Sequence, residues 1–541
     1  MLMALMQRKP GAPARAPGFG RIAGLCVAGF LAASLAAANT INPFESAQES
    51  GTEPALDPSP VVQSLRQKDF AKALEGANQL IKSDPKNPVG HNMLGGVHVS
   101  RHDFAAARKD FETAVALQPG FTPALFNLAQ LDIIEKDYPA ARRRYETIVA
   151  AEPANIGAML GLSRVAFLTN NADDGVRWLE RAKTADPAAL APRIVLARQR
   201  LAIGDVQAAL TELNGARRIE PQNPEVLDLL GQVQLALGQN AEAIATIGQW
   251  IKVQPDSALA HARMAVALEA TADLRGAEES AKKALALGPD NPEAMRVQAT
   301  IELRNGHVAQ ALDWGRRLQK RTPQSPAGFV VEGDALAAQK KYQDAVVAYE
   351  SALKIAPTSQ VAIKLHQAQA SVGAIDKADD RLVKWIKDNP QDSSARQYLA
   401  GEYARRGRTE LATAQYEELL QRQPQNVIAL NNLALIYVDQ RNLRGLELAQ
   451  NAYNLRPELP GIIDTYGWAL VQFSNPGRGL ELIRKAAKLT PDNPEIRIHL
   501  AGALARTGSK PEARAELEKV LSGKPAPPQR QAAETLLKSI Q

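Results

Sequence analysis

The chain has 541 residues, only 5% aromatics and a single cysteine, Cys26. That excludes a disulfide framework and a Cys-based zinc site, and its alanine- and leucine-rich make-up favours helices over a β-sandwich. The net charge of +6 is local: Arg8, Lys9, Arg15 and Arg21 stand before residue 39 without an acid among them, and removing them leaves 60 basic against 58 acidic residues. A body so close to neutral offers no electrostatic footprint for nucleic acid.

In chain order, residues 1–21 are basic and rich in Pro and Gly, and Ile22–Ala38 is a small, apolar run broken only by Ser34. Residues 1–38 therefore read as a signal peptide or a membrane anchor. Ala36-Ala37-Ala38 fits a small-x-small cleavage site, and 17 residues at ~1.5 Å each reach only ~25 Å, short of a ~30 Å hydrocarbon core. Leu25 directly before Cys26 argues against lipidation there. The expected location is periplasmic, or inner-membrane anchored and facing the periplasm, with attachment through Ile22–Ala38. Residues 39–60, with four acids and four prolines, read as a flexible linker.

Beyond residue 60 a proline recurs at a fixed interval: Pro85, Pro119, Pro153, Pro187, Pro221, Pro255, Pro289, Pro323, Pro357, Pro390, Pro424, Pro457, Pro491 and Pro525, in steps of 33 or 34. Asn87-Pro88, Asn223-Pro224, Asn291-Pro292 and Asn493-Pro494 supply a capping side chain followed by a residue that lacks the N–H a helix start would orphan. Gly204, Gly238, Gly306, Gly373, Gly407 and Gly508 fall mid-repeat and suit left-handed helix ends. Each unit is thus expected to be helix A, turn, helix B. Twelve residues before each phasing proline stands Ala or Gly: Ala73, Ala107, Ala141, Gly175, Ala209, Ala243, Ala277, Ala311, Ala345, Ala378, Ala412, Gly445, Gly479 and Ala513. A small side chain there lets two helices close to the ~8–10 Å of tight packing.

With this period and these small residues, the chain resembles the tetratricopeptide repeat (TPR) family. The resemblance implies an all-α, right-handed α-solenoid of about fourteen helix-turn-helix repeats over 61–527, with a capping helix at 528–541. In that cap Ala532, Leu536, Leu537 and Ile540 are expected on one side. Gln298 and Glu332 stand where the family has leucine, and the register shifts near Gln367, so looser packing is expected around repeats eight to ten.

No phosphate loop, dinucleotide fingerprint, nucleophile elbow or H-E-x-x-H occurs. The reading is a non-enzymatic protein with no catalytic residue, cofactor or metal. His91, His98 and His102 read as structural histidines, not ligands. By the family register, helix A lines a concave groove for protein partners. Its positions near the C-terminus are Gln397 and Arg405; Asn431, Leu435 and Asp439; Asp464, Trp468 and Gln472; and Ile498 and Arg506. Trp468 either anchors a partner or packs on the next repeat. Lys364 is followed four residues later by Ala368, and Tyr398 stands where an asparagine would be needed, so the carboxylate clamp of chaperone-binding TPRs is absent.

Ile462–Gln472 (IIDTYGWALVQ), Gly479–Gly508 and Glu512–Leu521 resemble the C-terminal part of TPR proteins of the PEP-CTERM/exosortase and exopolysaccharide export systems of Gram-negative bacteria. That likeness implies a cell-envelope scaffold with polysaccharide-export or sorting components as partners. The alternative is a generic TPR assembly factor for an inner-membrane or cytoplasmic complex.

Overall fold

The computed structural model describes residues 58–523 and 525–540. The basic leader, Cys26 and nearly all of the 39–60 linker lie outside the described residues. The described residues form twenty-nine helices and no strand. None of these helices is long and apolar enough to cross a membrane.

The chain divides into two compact units, one ending at Ile301 and the other beginning at Glu302. The first holds seven hairpins, from α1 (Ser59–Arg66) with α2 (Phe70–Ser83) to α13 (Ala258–Ala270) with α14 (Leu274–Leu287). α15 (Pro292–Arg304) contains this boundary, and α16 (Val308–Arg321) is the first helix wholly within the second unit. That unit continues through six hairpins, the first pairing α17 (Ala327–Ala338) with α18 (Tyr342–Ile355). The second pairs α19 (Ser359–Ser371) with α20 (Ile375–Asp388), and the third pairs α21 (Ser393–Arg405) with α22 (Thr409–Arg422). The next three are α23 (Val427–Asp439) with α24 (Arg444–Leu455), α25 (Pro460–Phe473) with α26 (Pro476–Leu489), and α27 (Pro494–Arg506) with α28 (Lys510–Ser522). The last described helix, α29 (Pro527–Ser539), packs on α27 and α28.

Local chemistry places the helix ends. Asn493 Oδ1 accepts from the N–H groups of Glu495 (3.0 Å) and Ile496 (3.3 Å), and Asn223 does the same for Glu225 and Val226. Two orphaned donors are satisfied at once while Pro brings none. The predicted glycines do hold positive φ, from 70° at Gly407 to 94° at Gly373. The same left-handed turn also occurs at Lys68, His102, Lys136, Asn170, Ala272, Lys340 and Arg441. At these positions a Cβ is carried at a cost of about 1 kcal/mol, which the packed helices on either side offset.

The fourteen small residues before the phasing prolines are all buried. At the α25–α26 crossing a Cβ on Gly479 would lie 2.5 Å from the Gly467 carbonyl oxygen and 2.6 Å from Val471 Cγ2. Backbone therefore meets backbone there. The apolar core is accordingly a string of local clusters, one hairpin feeding the next. Ile483, Leu500, Leu504 and Leu517 belong to one such cluster, and Leu399, Tyr403, Tyr416 and Leu433 to another. In α29 the side facing this core is Gln529, Ala533 and Ile540, with Leu536 and Leu537 half-buried. Ala532, expected there, is exposed. The correction is one step along the helix: 529, 533, 536 and 540 keep a straight 3.6-residue stripe, which 532 leaves.

Candidate partner-binding face

In the second unit α23, α25 and α27 lie side by side, and α19 lies beside α21, so that residues one repeat apart become neighbours on a shared A-helix face. The predicted groove residues sit at different depths on this face. Asp464 is 4% exposed, and its Oδ2 accepts from His499 Nδ1 at 2.7 Å across to α27. Asn431, 1% exposed, donates to Asn432 Oδ1 at 3.2 Å. These two form the floor and are not solvent-facing contacts, because their phase points between two helices.

Trp468 is half-buried and stacks on His499, with ring centroids 4.8 Å apart and planes 10° from parallel. Its far edge lies over Gly502, where a Cβ would come within 2.9 Å of the indole. Trp468 therefore packs on the next repeat, and part of its surface stays exposed on the face. Gln472 accepts from Arg441, and Arg506 donates to the Val471 carbonyl at 3.1 Å. Gln397 accepts from Asn426 at 3.3 Å. Leu435 and Ile498 are half-buried. Arg405 stands apart: it is exposed and bonds Glu402 of its own helix, joining none of the others.

Asp439 keeps an exposed edge, but protein on its other sides raises its carboxyl pKa, and His499 and Arg441 only partly oppose this. For His499, burial disfavours the imidazolium. The hydrogen-bonded Asp464 carboxylate, with Asp439 and Glu495 nearby, outweighs burial and raises the pKa. The consequence for stability follows from the sign. A folded-state value above the usual imidazole 6.5 means the pair's contribution is complete below that pH and is lost as pH rises through the folded value. Chemical unfolding of the second unit at pH 6 and pH 9 should show this loss in the native chain. It should vanish in His499→Gln, and an equal loss in that variant would contradict the assignment.

His499, Gly502 and Arg441 escaped the sequence reading. His499 lies 35 residues after Asp464, one repeat and one residue on, a spacing that brings the two face to face only when A helices are adjacent. Gly502 occupies the phase of Trp468 one repeat later, and a glycine following a tryptophan at that interval is the signal that was available.

At the other end of the chain His98 Nδ1 hydrogen-bonds Asp110 Oδ2 at 2.6 Å, and His102 occupies a left-handed turn. No group of three or more His, Cys, Asp or Glu side chains suited to a metal ion occurs among the described residues. Lys364 pairs with Asp334 at 2.5 Å.

A stack of helical hairpins presenting one face of A helices defines an α-solenoid of the kind that binds protein partners. Tetratricopeptide repeat profiles match residues 132–199, 200–267, 262–326 and 360–523, and the chain belongs to the tetratricopeptide repeat family. Tetratricopeptide repeat protein 21A of Mus musculus is 27% identical over 195 residues, 33% of this chain and 15% of that one. Cellulose synthase 1 operon protein C of Komagataeibacter xylinus is 24% identical over 264 residues, 48% of this chain and 18% of that one. The chain spans less than a fifth of the length of these curated relatives. Among solved structures, a chain of the APC/C hetero-tetramer Cut9–Hcn1 aligns over 89% of this chain and 95% of that chain, with 14% identity and a TM-score of 0.47.

Proposed function

We propose that this protein is a non-enzymatic scaffold of the bacterial cell envelope that holds protein components of exopolysaccharide biosynthesis or export, or of PEP-CTERM protein sorting. The observation that carries the reading is the A-helix face of α23, α25 and α27, where Trp468, Gln472, Asp439 and Arg506 surround a floor of Asp464 and His499. A rigid aromatic among polar groups is the composition of a binding hot spot. The likeness to a cellulose synthase operon protein supports the exopolysaccharide setting, and the basic leader with Ile22–Ala38 supports a periplasmic or periplasm-facing location.

The test is a deletion strain together with fractionation of the tagged full chain. Loss of extracellular polymer, with the chain in the periplasmic or inner-membrane fraction, is the expected result. Normal polymer together with a soluble cytoplasmic chain that keeps residues 1–38 would leave the alternative, a generic TPR assembly factor for an inner-membrane or cytoplasmic complex.

A further inference from the structure

The turns that join helix A to helix B differ between the two units. In the first unit five of them end on a capping acid, Asp69, Asp103, Asp137, Asp205 or Asp273, which accepts from a backbone N–H of the helix it opens. In the second unit four consecutive turns, 339–341, 372–374, 406–408 and 440–443, contain no acid. Lys341, Ala374, Arg408 and Leu443 stand in the capping place and make no side-chain bond there. Aspartate would stabilise each of these helix starts, so its repeated absence is a cost to stability that local folding does not explain.

What stands on this edge instead has a definite make-up. Val372, Ile375 and Leu411 are 38–45% exposed, and Leu443 is 65% exposed, the highest value of any large aliphatic side chain among the described residues. Singly exposed aliphatics are ordinary, but these four lie in three successive turns or within three residues after them. Cations stand among them. Lys340, Lys341 and Lys377 make no ion pair among the described residues, and Arg441 bonds the uncharged Gln472. The nearest acids, Asp344, Asp376, Glu402, Glu410 and Asp439, stand in the flanking helices. Arg405 pairs with Glu402, and Arg408 reaches Asp376 at 3.1 Å, which ties its turn to the start of α20.

We propose that this turn edge of the second unit docks on an anionic phospholipid bilayer, with Val372, Ile375, Leu411 and Leu443 entering the boundary between headgroups and acyl chains and the lysines and arginines meeting lipid phosphates. Each aliphatic group projects singly, between cations. A protein hot spot seats its anchor in a packed, desolvated pocket. Isolated apolar tips flanked by Lys and Arg suit a fluid interface, which closes around them without a preformed pocket. A soluble polyanion would use the cations and leave the aliphatics in water, so it gives no reason for a leucine where a capping acid would stabilise. The edge shares only Arg441 with the residues of the A-helix face, and the proposal holds whether or not that face binds a partner.

The readout must be local, so that lipid binding by Ile22–Ala38 does not count. In the full chain with Cys26→Ser, an environment-sensitive fluorophore is attached through Gln440→Cys, exposed in its turn, or through Leu489→Cys, 46% exposed at the opposite end of a hairpin. Vesicles of phosphatidylglycerol and phosphatidylethanolamine should brighten the label at 440, open it to quenching by spin-labelled lipid, and leave the label at 489 unchanged. Pure phosphatidylcholine vesicles, or Lys340→Glu combined with Lys377→Glu, should require at least about tenfold more lipid for half the response. Leu443→Asp restores the capping acid of the first unit. It should raise the lipid requirement about tenfold while thermal unfolding stays unchanged or shifts upward. No response at 440, equal responses at 440 and 489, or an equal response to phosphatidylcholine would overturn the proposal. So would indifference to the charge reversal or to Leu443→Asp in chains that keep their helicity. A response to soluble polyglutamate matching that to vesicles would also overturn it, and would assign the edge to an acidic protein segment.

Discussion

Replacing Gly479 with leucine is expected to force α25 and α26 apart and destabilise the surrounding repeats by more than about 3 kcal/mol. The magnitude follows from what a side chain would meet. A Cβ on Gly479 lies 2.5 Å from the Gly467 carbonyl oxygen and 2.9 Å from the Val471 nitrogen, both of them backbone atoms that no rotamer change can move. Gly467 is placed reciprocally, with a Cβ 3.0 Å from the Gly479 carbonyl oxygen and 2.8 Å from Ile483 Cγ1. Better helix propensity at 479 returns only ~1 kcal/mol. Because each hairpin contacts its neighbours, the damage should stay local, and unfolding of the array need not be two-state. Hydrogen exchange read by mass spectrometry is therefore the suitable measurement. Protection should fall in α25–α28 and persist in the first unit. Unchanged exchange in α25 and α26 would contradict the close crossing.

Trp468→Ala carries the second large effect, in two separable parts. Removing the indole exposes the His499 ring and opens space over Gly502, at a cost of roughly 2–3 kcal/mol for a half-buried tryptophan. On the proposed function it also removes the aromatic anchor, and partner capture should fall at least about tenfold. Gly502→Ala separates the parts. Its Cβ would press on the indole from below at 2.9–3.0 Å, so stacking is strained while the aromatic surface remains. Capture that survives Gly502→Ala and fails in Trp468→Ala, with far-UV circular dichroism retained in both, is the expected pattern. Equal capture by all three chains would remove Trp468 from the binding role.

The repeat was legible because its determinants are local. A proline follows helix B, an Asn-Pro step starts helix A in four of the repeats, and a small residue sits at every crossing, so each of these can be read from one segment. The left-handed turns were legible only where glycine fills them. Lys68, His102, Lys340 and Arg441 adopt the same backbone at modest cost, and nothing in their side chains announces it. On the A-helix face, periodicity assigned the side of the helix and not the depth. Asn431 and Asp464 share a phase with the half-buried Ile498, yet lie under neighbouring repeats. His499 was hidden for a related reason: its partners, Asp464 and Trp468, are a full repeat away. The register shift near Gln367 has a physical counterpart in the link of only three residues, 356–358, between α18 and α19.

The central claim is that the A-helix face of the second unit holds a protein of the cell envelope. Its most direct test is a photoreactive residue placed at Asp439, which is exposed on that face, and activated in living cells with adducts identified by mass spectrometry. The matched control is the same residue at Leu411, 44% exposed on the B helix α22. The account predicts one dominant adduct with an envelope protein from position 439, weak or absent from position 411 and lost in Trp468→Ala. Equal adducts from both positions, or adducts only with cytoplasmic proteins, would contradict it.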